Sequence, residues 1–409
     1  MRTTKFRKSC IQISLVAGML MSGFGTVPAY ADAGFKKWVR GFSSVARKNG
    51  VSSKTIKQAF AGVNSPDNEV LELTRFQPEF KQKMWMYFDS RVNERSIGRG
   101  KEMKRTWKSW LDRIERKYGV DRHILLAIWS METSYGEALE KPKAMRNVVR
   151  SLSTLAYKDR RRRKFARQQL IAALKIVQSG AIPASGLRGS WAGAMGHTQF
   201  IPTSYRAYAQ DVDGNGRKDI WNSVPDALGT AANLLRRNGW RSGQTWGYEI
   251  KPTKKALGQS GKTRTLAQWA KLGIRRAKGK AMPRSGQRAT LKFLAGKSGP
   301  GFLMLKNFFV IKRYNNADKY ALAVGHLADQ IAGYGDFEKQ LPRPYRKLNE
   351  QERFALQSHL ARLGLYDGEI DGKIGSGTRA AIRKAQDRIG MTPDGYESPK
   401  LLKRLSKKT

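Results

Sequence analysis

Hydrophobic and polar positions recur with a helical period over most of this chain. Between Phe35 and Ala61, Trp38, Val39 and Phe42 and then Val51, Ile56 and Phe60 are apolar anchors of a helical segment. Phe76-Gln77-Pro78-Glu79-Phe80 breaks the pattern as a loop or short extended piece. From Met84 to Tyr118 aromatic and basic residues alternate at helical spacing, a core stripe backed by a solvated basic face. Asn147 to Ala156 and Phe165 to Val177 read as two helices. Another opens at Ser223-Val224-Pro225-Asp226 and stops at Gly239, and a short one spans Leu266 to Leu272. Between Gln287 and Arg313 the period changes: Ala289–Leu294 and Phe302–Leu305 alternate or run apolar around Gly296, Gly299 and Gly301, which predicts a hairpin. The apolar run Phe308–Ile311 leads into Arg313-Tyr314-Asn315 and then a helix from Ala317 through Ile331, placing Tyr314 and Asn315 at a strand-to-helix junction. Gly333 to Lys347, with two prolines, reads as a linker. Asn349 to Leu405 forms a separate small unit of three helices, 351–363, 378–389 and 399–405. The expected class is mainly α (α+β), with a small β-hairpin region.

One predicted helix carries a residue that its pattern does not explain. In the stretch from Gly119 to Gly136, Asp121 is placed to cap the start and Gly136 to close the end in a left-handed turn. At 3.6 residues per turn, Leu125, Ile128, Trp129 and Glu132 share the core-facing stripe. A carboxylate there is unfavourable unless it is paired, hydrogen-bonded or kept protonated near neutral pH. The last state is what a general acid needs; a buried Glu held by an Arg partner is the bland alternative.

Two loops add candidate chemistry. Gly189–Tyr205 holds three glycines, two alanines and a serine in its first half, allowing close backbone approach, with Ser190 and Gln199 as hydrogen-bonding residues. His197 stands without metal spacing and reads as structural or peripheral. In Asp211-Val212-Asp213-Gly214-Asn215-Gly216, oxygen ligands at positions 1, 3 and 5 and Gly at 6 match the front of a calcium loop. Asn222 occupies position 12, where a bidentate Glu is expected, and Asp226 is the nearest carboxylate after it. The run Arg160–Lys164 is either a solvated helix start or a source of arginines for an anionic groove beside Glu132.

The amino-terminal segment sets the compartment. Arg2, Lys5, Arg7 and Lys8 precede the apolar stretch Ile11–Met21, and Ala29-Tyr30-Ala31 offers a cleavage site, so residues 1–31 read as a signal peptide of an exported, periplasmic protein. Cys10, the single cysteine, lies ahead of the apolar stretch, so it is no lipid-anchor site, and the mature chain has neither disulfide nor thiolate metal site. Lys and Arg number 78 against 32 Asp and Glu, and removal of four basic residues with the signal leaves +42 of the formal +46. Such a surface attracts polyanions: nucleic acid, an acidic membrane face or an anionic wall polymer. Export argues against nucleic acid.

Three ordered blocks coincide: Glu132-Thr133-Ser134-Tyr135-Gly136; Gly189-Ser190 and Ala192–Gly196 through Gln199-Phe200-Ile201-Pro202; and Arg313-Tyr314-Asn315. Together they resemble the lytic murein transglycosylase B family over roughly Phe35 to Tyr334. Separately, Leu356-Gln357, Tyr366-Asp367-Gly368, Ile370-Asp371-Gly372 and Gln386 resemble the peptidoglycan-binding type 1 domain. The resemblance implies a lysozyme-like catalytic domain (32–335), a linker (336–348) and a peptidoglycan-binding domain (349–409). It implies non-hydrolytic cleavage of the β-1,4 bond between N-acetylmuramic acid and N-acetylglucosamine. Glu132 would act first as acid and then as base while the sugar's own C6 hydroxyl attacks C1, leaving a 1,6-anhydro end. By analogy Ser190 and Asn315 orient the N-acetyl group, while Gln199, Tyr314 and Tyr320 line the sugar subsites. Asp211, Asp213, Asn215 and Asp226 would hold a structural Ca²⁺; no cofactor is required for the chemistry. The expected partners are peptidoglycan strands and an anionic envelope surface, not nucleic acid, with the protein taken as a monomer. A hydrolytic muramidase and a non-catalytic wall-binding protein stay open as alternatives.

Overall fold

The computed structural model describes residues 33–74, 82–141, 144–251, 253–282 and 286–408. The expected signal segment with Cys10 and the break at Phe76–Phe80 lie outside the described residues. The chain divides into two compact units between Gln340 and Leu341.

The first unit begins with α1 (Ala33–Lys48), α2 (Ser53–Ala59) and α3 (Asn68–Leu73). The single helical segment expected over 35–61 is thus two helices, broken at Gly50, whose φ of +81° a side chain would resist. Likewise the 84–118 stretch is three helices: α4 (Met84–Arg91), α5 (Glu94–Thr106) and α6 (Lys108–Tyr118). The first break comes where Asn93 caps α5, its side chain accepting from the Ser96 amide while Ser96 Oγ accepts from the Asn93 amide. Helix α7 (Arg122–Thr133) follows, capped by Asp121 accepting from the His123 amide at 2.7 Å. Leu125 to Ile128 are fully buried, so α7 is surrounded by protein rather than lying on it.

The short pair β1 (Arg146–Asn147) and β2 (Arg188–Gly189) brackets α8 (Val148–Lys158) and α9 (Arg163–Gln178). The loop after β2 leads to α10 (Pro202–Tyr208) and α11 (Val224–Arg237). The expected hairpin exists, as β5 (Arg288–Lys292) against β6 (Gly301–Met304), but it belongs to a four-stranded antiparallel sheet in the order β3-β6-β5-β4. Its other members, β3 (Gly247–Ile250) and β4 (Thr263–Thr265), are too short for their alternation to stand out in sequence. Between β3 and β4 lies the short α12 (Lys254–Leu257), and after β4 comes α13 (Leu266–Lys271), whose Trp269 packs under the sheet with Leu291 and Leu303 and donates to the Ala289 carbonyl.

The apolar run at 308–311 is not a strand. It lies in α14 (Lys306–Tyr314), and Phe308, Ile311 and Tyr314, three residues apart, form its buried stripe while Lys312 and Arg313 face outward. Tyr314 and Asn315 therefore stand at a helix-to-helix junction, before α15 (Asp318–Ala332). Residues 336–339 remain fastened to this unit: Asp336 Oδ1 pairs with His326 Nε2 at 3.0 Å, and the Glu249 carboxylate accepts the Glu338 and Lys339 amides.

The second unit holds α16 (Glu350–Arg362), α17 (Ser376–Arg388) and α18 (Pro399–Leu405) around Leu356, Leu360, Ile382, Leu401 and Leu405. Leu348, inside the expected linker, is part of that core. Gln357 is fully buried, and its Oε1 accepts from the Gly372 amide at 2.6 Å, fixing the Gly/Asp loop between the first two helices. Among the described residues, no helix is long and apolar enough to cross a membrane.

Candidate active site

Glu132 is the penultimate residue of α7 and is 5% exposed. Beyond it the chain turns sharply: Ser134, Tyr135 and Gly136 all have positive φ, at +51°, +61° and +97°. Two non-glycine residues in succession in the left-handed region are strained, by about 1 kcal/mol or more each. Side chains hold the turn in place. Thr133 Oγ1 accepts from the Gly136 amide at 3.1 Å and donates to the His197 carbonyl at 2.6 Å, and Tyr135 Oη donates to the Ser96 carbonyl at 2.8 Å.

A phenol meets the carboxyl group. Tyr320, fully buried on α15, donates to Glu132 Oε1 at 2.7 Å. Its ring stacks with that of Tyr314, centroids 6.5 Å apart and 9° from parallel. Tyr314 Oη donates in turn to the Thr198 carbonyl. Burial, and then the adjacent Glu132 charge, hold both phenols well above their ordinary pKa, so they stay protonated donors at any physiological pH.

The glycine-rich loop is fixed to the same place. Met195 bridges to Gly189 on one side and Phe200 on the other. Glycine is required at 196: φ is +68°, and a Cβ would lie 2.3 Å from the Ile220 carbonyl oxygen. Ser190 is buried; its Oγ accepts the Ala192 and Ala194 amides at 3.3 and 3.1 Å and keeps its own proton to donate. Gln199, left-handed at φ +49°, donates from Nε2 to the Gly196 carbonyl, while its buried Oε1 has no donor among the described residues. Asn315, buried, follows Tyr314 directly. The structure thus gathers the Glu132 turn, Tyr314, Tyr320 and the 196–199 loop into one region.

Sequence reasoning missed Thr133 and the Thr198 carbonyl, which lash loop to helix. The adjacency of Thr133 to Glu132 was the available signal. His197 is structural: its Nδ1 accepts from Trp129 Nε1 at 3.2 Å, and burial drives its pKa down to about 4, so the ring is neutral. Arg162, from the basic run, closes on Asp159 at 2.8 Å and lies over Trp191, as a helix start does.

Asp211, Asp213 and Asp226 each bring a carboxylate oxygen within 4.8 Å of the others. Asp226 is fully buried and accepts the amides of Val212 and Asp219 at 2.6 and 2.8 Å; desolvation still raises its pKa. Asn222, at position 12, donates from its side-chain amide to Asp219 Oδ2 at 2.9 Å. Asp226, coming from α11, closes the loop instead. Three converging carboxylates are a hard-oxygen donor set, which suits Ca²⁺. Asn215, the fourth expected ligand, spends its Oδ1 on the Arg217 amide at 2.8 Å.

The transglycosylase SLT domain family matches residues 34–329. The chain belongs to that family. A peptidoglycan-binding domain family matches residues 349–405. Membrane-bound lytic murein transglycosylase B of Escherichia coli is 30% identical over 230 residues, covering 55% of this chain; the match spans 62% of that relative's length. The crystal structure of SltB3 from Pseudomonas aeruginosa, in complex with NAG-anhNAM-pentapeptide, is 41% identical; it covers 92% of this chain and all of its own, with a TM-score of 0.71. SltB1 from the same organism is 28% identical and covers 72% of this chain and 98% of its own, with a TM-score of 0.63. The lysozyme-like, mainly helical SLT fold expected from the three blocks is the one found.

Proposed function

We propose that this SLT-family chain cleaves the β-1,4 bond between N-acetylmuramic acid and N-acetylglucosamine in peptidoglycan without water, leaving 1,6-anhydromuramyl ends. The observation that carries this reading is the buried Glu132 carboxyl group, which accepts from the Tyr320 hydroxyl at 2.7 Å. A hydrolytic glycosidase places two carboxyl groups about 5–10 Å apart across the bond. Here the three sequence blocks that meet at the site bring one carboxylate, Glu132. That Pseudomonas aeruginosa SltB3 is named with an anhydro-sugar peptide supports the same chemistry.

In the mechanism, protonated Glu132 gives its proton to the leaving glycosidic oxygen. Its carboxylate, steadied by the Tyr320 hydroxyl, then takes the proton of the C6 hydroxyl as O6 bonds to C1. An intramolecular nucleophile has high effective molarity and needs no second carboxylate. Ser190 and Asn315 orient the acetamido group at the anomeric carbon, and Gln199, with its unpartnered Oε1, takes a donor on the substrate. Tyr314 holds the loop through Thr198. The division of labour follows the two units: the first, to Gln340, cuts, and the second, from Leu341, holds the wall in the periplasm after loss of residues 1–31. The net charge of +42 draws the protein toward anionic envelope polymers. Asp211, Asp213 and Asp226 would hold a Ca²⁺, which would stiffen the loop.

The test is mass spectrometry of products from purified sacculi treated with wild type and Glu132→Gln. Anhydromuramyl fragments from the first and none from the second are expected. Reducing-end muramic acid would instead make the chain a muramidase, and equal turbidity loss by both would remove Glu132 from the chemistry.

A further inference from the structure

One side of the first unit carries basic residues with almost no acid among them. Residues 33–60 hold seven Lys and Arg and no Asp or Glu, and residues 158–180 hold eight against a single acid, Asp159. That acid is spent within its own turn. It accepts the Arg161 and Arg162 amides at 2.9 and 3.1 Å and the Arg162 guanidinium at 2.8 Å. Other basic helices bring their own counter-charges: residues 94–118 hold nine Lys and Arg but four acids, two of which close the pairs Arg99–Glu102 and Lys108–Asp112.

The fold lays the two acid-poor stretches side by side. Helices α1 and α9 are each 16 residues long, which is about 24 Å. They run in the same direction. Phe35 and Trp38, early in α1, meet Tyr157 just ahead of α9, with ring centroids 5.5 and 6.0 Å apart. Midway, the Arg167 guanidinium lies 5.4 Å over the Phe42 ring. At the far end Gln178 donates to the Gly50 carbonyl at 2.9 Å and accepts the Ser52 amide at 2.6 Å. Rings fill the seam between the helices, and the long charged side chains are left outside. Lys36, Lys37 and Arg40 are exposed on α1. Beside them Lys158, Arg160, Arg161, Arg163 and Lys164 are exposed where α8 gives way to α9. Among the described residues, the only ion pair on this face is Arg162–Asp159.

Charge and shape together select the partner. Eight cations gathered at one end of two adjoining helices repel one another, and a polyanion laid against them relieves that repulsion. The exposed large apolar side chains among the described residues are Tyr334, Phe354 and Ile370, all away from this face. The face therefore has no ring to stack on a base and no wedge to insert, and it binds by charge alone. One nucleic-acid backbone would meet a single row of these cations, whereas a flat array of phosphates meets the rows on both helices at once.

We propose that this face binds the phosphate headgroups of an anionic lipid bilayer and so holds the catalytic unit at a membrane surface. The proposal takes from the reading above only the export of the chain. Binding is measured without turnover, so failure to cut sacculi bears on the catalytic reading and leaves this one standing.

The experiment is cosedimentation of the full mature chain with vesicles of phosphatidylcholine containing about 30% phosphatidylglycerol, beside vesicles of phosphatidylcholine alone, at about 0.05 and 0.5 M salt. Binding is expected to the anionic vesicles at the lower salt and to neither at the higher. Each Lys or Arg at such a surface changes the partition about fivefold. Arg160→Gln, Arg161→Gln, Arg163→Gln and Lys164→Gln together should weaken binding by about thirtyfold or more, and the separate α1 set Lys36→Gln, Lys37→Gln and Arg40→Gln by about tenfold or more. All seven side chains are exposed, so unchanged circular dichroism is expected of both variants. The control removes four exposed charges from the second unit, Lys400→Gln, Lys403→Gln, Lys407→Gln and Lys408→Gln, and should weaken binding by less than about threefold. An equal loss in the control would make the effect one of net charge and overturn the proposal, as would equal binding to the neutral vesicles. Tighter binding of a short DNA duplex at the same salt, weakened by both face variants, would assign the face to nucleic acid instead. Loss of sacculus binding by those variants with vesicle binding intact would assign it to the wall.

Discussion

Replacing Tyr320 by Phe isolates the contact on which the acid–base cycle depends. The substitution deletes one oxygen, which donates to Glu132 Oε1 at 2.7 Å with both residues buried. A hydrogen bond to a charged group of this kind contributes about 1.5–3 kcal/mol. The hydroxyl stabilises the ionised form of Glu132, so its loss favours the protonated form. At about 1.4 kcal/mol per pH unit, the limb of the rate profile that reports loss of the catalytic proton moves alkaline by about one to two units. The carboxylate also loses its orientation for the second proton transfer, and kcat at the optimum falls about tenfold, equivalent to about 1.4 kcal/mol of barrier. The assay is release of anhydromuropeptides from sacculi between pH 4 and 9, with kcat/KM at each point. Tyr314→Phe is the control, since its hydroxyl donates to the Thr198 carbonyl and not to Glu132. It should lower the rate through the loop without moving the limb. A Tyr320→Phe profile that overlays wild type, or an equal shift from Tyr314→Phe, would refute the assigned role.

The remaining predictions concern the scaffold. Gly196→Ala places a Cβ 2.3 Å from the Ile220 carbonyl oxygen at φ +68°, so stability falls by about 3 kcal/mol or more, seen as a lower denaturation midpoint together with lost activity. Calcium should raise the melting temperature of wild type and a chelator should lower it, whereas Asp226→Asn abolishes the difference; equal responses in a calorimetric scan would remove Asp226 from the ion site. Burial pushes the Asp329 carboxyl up from 3.8 to about 7. The folded state then keeps a proton that the unfolded chain releases above about pH 4, so this contribution is full at low pH and is lost as pH rises through 7. Three units correspond to about 4 kcal/mol, and Asp329→Asn should flatten the fall in stability between about pH 4 and 7 in urea titrations.

The periodic stretches betrayed most of the fold because their helices bury one stripe and wet the other. The helix at 148–158 and those from 224, 318 and 399 onward lie where the apolar spacing puts them, within a residue or two. The errors fall where local pattern and tertiary setting diverge. Phe308-Phe309-Val310-Ile311 is β-branched and aromatic enough to read as a strand, yet α14 buries Phe308 and Ile311 on one side and exposes its flanking lysine and arginine. Strands of three or four residues, such as β4, gain their identity from neighbours: Thr263 pairs with Thr290, a partner invisible in a window around either.

The candidate site divides along the same line. Glu132 was legible because it contradicts its own helix: a carboxyl on an apolar stripe is a local inconsistency, and such inconsistencies collect at functional positions. What answers that carboxyl was not legible from spacing. Tyr320 lies 188 residues downstream, on a helix whose own pattern treats it as one more core aromatic. Only the fold distinguishes it from Tyr314, six residues earlier and stacked on it, whose hydroxyl is spent on a backbone carbonyl. Of the two readings open for Glu132, an arginine-paired structural acid or a proton donor, that contact supports the second. An arginine would pin the group as a permanent anion, whereas a neutral phenol steadies the anion and still permits protonation. The carboxyl group is held in place without being fixed in charge, and a residue that must give up a proton and then take one back needs both.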